Sequence, residues 1–172
     1  VRASSARRAP PLKLRGGRST DVDALVALER AVFTYDLLSR RSFRHFLSAP
    51  GATLLIAEHA GTLVGYVLVL YPPRSQRARL YSVAVAPHLG SRGIGKRLLA
   101  AGEQAARHHH RQVMQVEVHE HNTRAISWYE KSGYRLFGRH RRYYDDHADA
   151  LRFEKPLGAQ PRRRAAALPA PA

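Results

Sequence analysis

The sequence has no cysteine, one methionine, one tryptophan and only 13 acidic residues among 172. The missing cysteine excludes a disulfide framework, a thiol nucleophile, thiol redox chemistry and any cysteine-ligated zinc site, so packing must hold the fold. No apolar run reaches the roughly 18 residues needed to span a bilayer, and the first residues lack the apolar stretch of a secretory signal. These absences predict a cytoplasmic protein without a membrane partner.

Against the few acids stand 29 lysines and arginines, a formal net charge of +16. Such a surplus suggests a nucleic-acid binder, but its distribution matters more than its sum. No acid precedes Asp21 or follows Glu154, whereas residues 1–18 carry six bases and residues 158–172 three, leaving 20 bases and 13 acids for the middle. The end segments VRASSARRAPP and GAQPRRRAAALPAPA offer few large apolar groups to offset the entropy of ordering them. Residues 1–11 and 158–172 are therefore expected to be disordered basic tails around one domain, 12–157. That length suits a single core.

Strand and helix patterns alternate between the tails. LKLR (12–15) reads as a short strand, and Ser19 or Thr20 as the cap of a helix carrying Leu25, Leu28 and Val32 at helical spacing. SRRSFRHFL (39–47) reads as a second helix, with Phe43, Phe46 and Leu47 inward and Arg40, Arg41 and Arg44 outward. Residues 53–71 form a hairpin signal around the polar turn His59–Thr62, where Gly61 can take positive φ. ARLYSVAVAP (78–87) is a further strand ending at Pro87.

A glycine-rich turn then runs into a helix with Ile94, Leu98, Ala101 and Ala105 on one stripe. Residues 113–118 return as a strand, 123–133 make a helix ended by Gly133, and YRLFGRH and ALRFEKP close as strands. The expected fold is α/β: a mixed, mostly antiparallel sheet of six to seven strands with helices on both faces.

The stretch 83–98 is the most informative. A strand entering a helix through Gly90, Gly93 and Gly95 presents backbone N–H groups at a helix N-terminus, which favours phosphate. The nucleoside-triphosphate loop G-x-x-x-x-G-K fits from Gly90 to Lys96, but Arg97 stands where a magnesium-binding Ser or Thr belongs. The dinucleotide loop fails because Leu98 replaces the third glycine.

A third pattern extends further. Val83-Ala84-Val85-Ala86-Pro87 followed by Arg92-Gly93-Ile94-Gly95-Lys96-Arg97-Leu98-Leu99 resembles the acetyl-CoA loop of the GNAT N-acetyltransferases. The later blocks Val116-Glu117-Val118, Asn122, Ala125-Ile126, Trp128-Tyr129-Glu130, Gly133-Tyr134, Tyr143-Tyr144 and Asp149-Ala150 resemble in particular the branch that acetylates ribosomal-protein alanine N-termini. The similarity runs from about Leu12 to Leu157. One residue departs from the family loop: Gly90 stands where Gln or Arg is usual, and Arg92, Lys96 or Arg97 is expected to supply the missing charge.

The resemblance implies a GNAT-like domain with a splayed central strand pair, acetyl-CoA as cosubstrate and no metal. It places the coenzyme on the main chain of Val83, Ala84 and Val85, on the loop Ser91, Arg92, Gly93, Ile94, Gly95 and Lys96, and on Asn122. It implies Glu117 as general base and Tyr129 as the acid that protonates the departing thiolate.

The residues alone leave alternatives: Glu117 is equally a solvent-facing glutamate, and Tyr129 a core aromatic with its hydroxyl satisfied. The chemistry itself is clear. Acetyl transfer to an amine needs a neutral amine, donors for the oxyanion and a proton for the leaving group. An α-amine with pKa near 8 is about one-tenth neutral at pH 7, whereas a lysine near 10.4 is neutral about once in 2,500.

Other features admit plainer readings. His108-His109-His110 point in different directions around a helix end, where cations suit the dipole better than a metal. Asp145, Asp146 and Asp149 are either a solvated turn or an acidic lip. Tyr35, Asp36, Leu37 and Leu38 fall where the family fold places one wall of the acceptor cleft.

Three functions remain open on sequence grounds. They are acetylation of a protein N-terminal amine, acetylation of a lysine, polyamine or other small amine, and a non-catalytic basic module held on RNA or a ribosome by its tails.

Overall fold

The structure is a computed structural model that describes residues 11–90 and 92–158. The tails expected to be disordered lie almost wholly outside the described residues, as does Ser91.

Seven strands form one sheet. In chain order the elements are β1 (Lys13–Gly16), α1 (Val22–Val32), α2 (Arg40–Ser48), β2 (Ala52–His59), β3 (Thr62–Leu70), β4 (Arg77–Val85), α3 (Ile94–His108), β5 (Val113–His119), α4 (Thr123–Lys131), β6 (Arg135–His140) and β7 (Ala150–Pro156). The spatial order is β1-β2-β3-β4-β5-β7-β6. Every neighbouring pair is antiparallel except β4 and β5, so the sheet is mixed and mostly antiparallel, as expected.

Side-chain alternation along β3 separates the two covers. Tyr66 faces α1 and α2, meeting Phe43 edge-on at 5.5 Å between ring centroids. Val67 and Val69 face the other way, toward α3, where a Cβ on Gly102 would come within 3.2 Å of each. Gly102 thus lets helix and sheet approach closely. The fully buried Phe43, Tyr66, Leu68, Leu98 and Phe153 lie in these layers, and each such side chain contributes roughly 1.5–3 kcal/mol relative to exposure.

The β2–β3 hairpin turns through Ala60 and Gly61, both at positive φ (50° and 78°), as a two-residue loop matched to strand twist requires. Ser39 caps α2, its hydroxyl accepting from the Ser42 N–H at 3.1 Å. The start of α1 differs from expectation. Ser19 and Thr20 lie in a short 3-10 turn, and Asp21 makes the contacts. Its carboxylate accepts from the Arg18 N–H at 2.7 Å and from both Arg15 Nη atoms at 2.7 and 2.8 Å. Arg15 chiefly holds that carboxyl below its usual range.

The α3 stripe also differs. Ile94 and Leu98 are buried as expected, but Ala101 and Ala105 are half-buried, and Leu99, Gly102, Glu103 and Ala106 take the inner face. Glu103 can lie inside because Lys155 Nζ reaches its two carboxylate oxygens at 3.0 and 3.1 Å and the Tyr134 hydroxyl donates at 3.0 Å. Its counterpart on the opposite face is Glu29, 2 % exposed. It accepts from the Leu38 N–H at 2.9 Å and from the Tyr66 hydroxyl at 2.6 Å. Burial pushes its carboxyl upward. The Leu38 contact fixes the loop between α1 and α2 to the core.

Candidate active site

β4 and β5 pair only through Arg77–Val113, Ala78–Met114 and Arg79–Gln115. Beyond that they separate, which realises the splayed strand pair. A bulge in β4 helps: Ser82 pairs with Leu68 and Leu80 with Val69, leaving Tyr81 as the extra residue. Bulges bend a strand away from its neighbour. The Ala86 N–H donates to Val64 O at 2.8 Å, so by antiparallel alternation Ala84 is bonded to β3 while the amides of Val83 and Val85 point into the gap. Of the three main-chain positions expected to serve the coenzyme, Val83 and Val85 have that orientation.

The chain leaves β4 through a 3-10 turn at Pro87–Leu89 and enters α3 through Gly93. Gly93 has φ +75°, and among the described residues a Cβ there would meet nothing within 4 Å. The glycine is needed for its backbone conformation, and the space beside it is open to a ligand. The amides of Ile94, Gly95 and Lys96 lie in the first turn, where no intrahelical acceptor exists for them. A Cβ on Gly95 would lie 3.4 Å from the Trp128 ring, so this glycine lets α4 approach. These features fit an anionic, pyrophosphate-bearing ligand: an open cradle, amides aimed at it, and an adjacent gap with two further amides.

Gly90 has φ −60°, so its place in the loop does not depend on a left-handed turn. The Arg124 guanidinium lies beside it, with Nη2 3.9 Å from where a Cβ would be. Arg97, one of the expected substitutes for the missing charge, instead reaches Leu12 O at 3.4 Å. Arg124 was missed in the sequence because its neighbourhood to Gly90 comes from the packing of α4 on α3. Asn122 caps α4, its side-chain oxygen accepting from the Ala125 N–H at 3.0 Å, which leaves its NH2 group for other partners.

Glu117 lies on β5 on the face opposite buried Val116 and Val118, as alternation required. It is not the solvent-facing glutamate of the plainer reading: 13 % of its side chain is exposed, and Arg79 Nε donates to it at 2.9 Å. Arg79 also donates through Nη2 to the Tyr143 hydroxyl at 2.7 Å and lies 5.3 Å above the Tyr81 ring. Arg79 and Tyr81 were not singled out in the sequence. An arginine inside an otherwise apolar strand was the available signal.

Tyr129 is 6 % exposed and packs edge-on against Trp128 and Tyr134 at 4.9 and 5.5 Å. Among the described residues its hydroxyl has no hydrogen-bond partner. Burial raises its pKa, with a smaller contribution from Tyr144, so the phenol holds its proton.

Tyr144 packs against Tyr143, its neighbour in the chain, and His119, with ring centroids 5.1 and 4.7 Å apart. Burial pushes its phenol up to about 12, and Tyr143, Glu117 and Asp36 push in the same direction. Arg79 bonds both Glu117 and Tyr143, so the β6–β7 loop lies beside Glu117. Leu38 departs from the expected wall, being buried at 8 % exposure, while Tyr35 stands 83 % exposed.

Two of the acidic loop residues, Asp146 and Asp149, are internal braces. Asp146 accepts from the Ala148 N–H at 3.0 Å and pairs with His119 at 2.9 Å, and Asp149 accepts from Arg139 at 2.8 Å and the Arg142 N–H at 2.9 Å. These contacts hold both carboxyls below their ordinary values. In the histidine triplet, His109 stacks on Tyr71 at 3.9 Å. Among the described residues no helix is long and apolar enough to cross a membrane.

Residues 22–134 match the acetyltransferase (GNAT) family. The chain belongs to that family. It is 27 % identical over 165 residues to an N-alpha-acetyltransferase of Sulfurisphaera tokodaii, covering 90 % of this chain and 98 % of that protein. It is 32 % identical over 120 residues to N-alpha-acetyltransferase RimI of Mycobacterium tuberculosis, covering 68 % of this chain and 74 % of that one.

Among solved structures, the ribosomal-protein-S18-alanine N-acetyltransferase of Escherichia coli superposes with a TM-score of 0.77 at 20 % identity, over 89 % of this chain and 98 % of that one. A PaiA N-acetyltransferase of Thermoplasma acidophilum in complex with coenzyme A gives 0.72 at 18 %, over 85 % and 99 %. At these identities the structures support the fold. The GNAT assignment makes the protein an N-acetyltransferase, which displaces the non-catalytic RNA module as its principal function. GNAT enzymes take the acetyl group from acetyl-CoA, and the amide-lined gap and the Gly93 cradle suit that cosubstrate.

Proposed function

We propose that this GNAT enzyme acetylates the α-amine of a protein N-terminus by direct transfer in the cytoplasm, with a ribosomal-protein alanine terminus as the leading acceptor. The observation that carries the reading is the largely buried Glu117 carboxylate, held by Arg79 where β4 and β5 part, together with the buried Tyr129, whose hydroxyl has no partner among the described residues. The names of these two relatives support the same acceptor class.

In this reading acetyl-CoA supplies the activated acetyl group. Glu117, directly or through water, takes the proton of the incoming ammonium, a task that costs only about 1.4 kcal/mol at pH 7 for an α-amine against about 4.6 for a lysine. Amides at Val83 and Val85 donate to the carbonyl oxygen as it gains charge. Tyr129 gives its proton to the departing sulfur. Ser91, Arg92, Gly93, Ile94, Gly95 and Lys96 hold the phosphates with help from Arg124, and the Asn122 NH2 group contacts the coenzyme. Ala84 contributes its side of the strand. The arginine-rich tails add a salt-sensitive contact to an RNA-rich partner such as the ribosome.

The test is mass spectrometry of an alanine-terminated peptide and of its N-blocked counterpart carrying an internal lysine. Acetylation of the free α-amine is expected. Modification of the blocked peptide alone would overturn the acceptor assignment while leaving the enzyme class in place.

A further inference from the structure

Arg152 on β7 is the register partner of Glu117 across the β5–β7 ladder, so the two share one face of the sheet. They do not pair. Glu117 is taken by Arg79, and Arg152 turns the other way, over β6. There its Cζ lies 4.6 Å from the Phe137 ring centroid. Room for it comes from Gly138: a Cβ at that position would sit 3.7 Å from Arg152 Cδ and 4.0 Å from its Nη1.

Arg152 Nε is buried, and among the described residues it has no hydrogen-bond partner. Nor does any carboxylate there form an ion pair with this guanidinium. The neighbouring arginines are otherwise placed. Arg79 serves Glu117 and Tyr143, and Arg139 serves Glu120 and Asp149. A buried guanidinium donor without an acceptor is uncommon in native folds. Here it lies beside the Phe137 ring, itself 40 % exposed, on the face of the sheet that Glu117 shares.

The geometry points to Arg152 as an acceptor-binding residue that holds a carboxylate side chain near the N-terminus of the substrate polypeptide. The inference rests on the reading that the acceptor is a protein N-terminus. Two strand spacings separate the β5 line from the guanidinium over β6, about 10 Å. An extended chain covers that span in about three residues. An acceptor whose amine meets Glu117 therefore presents its third residue to Arg152. The α-carboxylate of a free amino acid lies two bonds from its own amine and cannot reach. A guanidinium also suits this ligand geometrically, because its fork matches both oxygens of a carboxylate.

The experiment uses the full chain with acetyl-CoA and a set of alanine-terminated peptides. Each carries Asp or Glu at the second, third or fourth position, with the Asn or Gln counterpart as control. Wild type is expected to prefer the peptide acidic at the third position about tenfold in kcat/KM, the difference residing in KM and shrinking with salt. In Arg152→Met the acidic-to-neutral ratio falls to about one, and in Arg152→Lys it is intermediate because charge remains without the fork. Fluorescence anisotropy of labelled peptides, measured without turnover, should show the same ratio in binding.

Equal kcat/KM for acidic and neutral peptides in wild type, or a preference that persists in Arg152→Met, would overturn the inference. The wild-type comparison decides the matter even where the variant does not fold. Acetylation of α-amines without acid preference refutes the role of Arg152 alone. Failure to acetylate any α-amine refutes the acceptor reading, and this inference with it.

Discussion

Replacing Tyr129 by phenylalanine removes one oxygen from a site where, among the described residues, that oxygen bonds to nothing. Most buried tyrosines would lose a hydrogen bond in this exchange, as Tyr66 would lose its contacts to Glu29 and Ser82 at 2.6 and 2.7 Å. Tyr129 loses none, and its ring contacts with Trp128 and Tyr134 persist. The stability change should therefore stay within about 0.5 kcal/mol, or about 2 °C in Tm for a domain of this size.

Activity should behave differently. A positioned proton donor contributes about 100-fold or more, equivalent to about 2.7 kcal/mol at 1.36 kcal/mol per decade. Burial raises the Tyr129 pKa, so the phenol is protonated throughout the neutral range and the deficit should be constant from about pH 6 to pH 9. Steady-state kcat from release of free thiol, with Tm and acetyl-CoA Kd on the same preparation, separates the two effects. Turnover within threefold of wild type would refute the role of Tyr129, as would a loss that tracks an equal fall in Tm.

Other substitutions probe the scaffold. Gly93→Val forces a β-branched residue into φ +75° although its Cβ has space. The cost of about 1–2 kcal/mol should appear as an acetyl-CoA Kd raised about tenfold by calorimetry, whereas Gly93→Asn stays near wild type. Glu29→Gln keeps an acceptor for the Leu38 N–H and removes a buried charge. Burial raises the Glu29 pKa, so the native state holds this proton more tightly than the unfolded chain. That contribution is complete at acid pH and lost as pH rises through the folded value. The variant should accordingly melt higher than wild type near pH 8, with the gap closing toward pH 4 in calorimetric scans. Ala60→Asn relieves an alanine at φ 50° beside Gly61 and should raise Tm by about 1–4 °C, with no change in kcat.

The elements were legible in the sequence wherever one face of a segment meets one environment. Strict alternation exposed β5, with Val116 and Val118 inward and Glu117 outward, and Gly61 marked the hairpin. The inner face of α3 was misplaced because Gly102 and Glu103 do not look like core residues. One is inside because Val67 and Val69 demand a close approach. The other is inside because Tyr134 and Lys155, 31 and 52 residues further along, satisfy its carboxylate. The same limit hid Arg79, whose partner Glu117 is 38 residues away, and Arg124, which reaches Gly90 from a different helix. Periodicity tells which face a residue occupies, whereas partners depend on register between distant strands.

The narrow seam between β4 and β5 gives the apoprotein two half-sheets, β1 to β4 and β5 to β6, fastened by three residue pairs. A coenzyme lying in the wedge becomes a molecular clasp between them and stabilises the whole by mass action, about 2.7 kcal/mol at a hundred times Kd. Hydrogen exchange should register this as slower exchange, when the clasp closes, of the β4 and β5 amides that face the gap. Arg79 belongs to the last of the three pairs and is also the partner of Glu117. Loading the cosubstrate would thus brace the carboxylate that receives the acceptor, favouring an order of binding in which acetyl-CoA comes first.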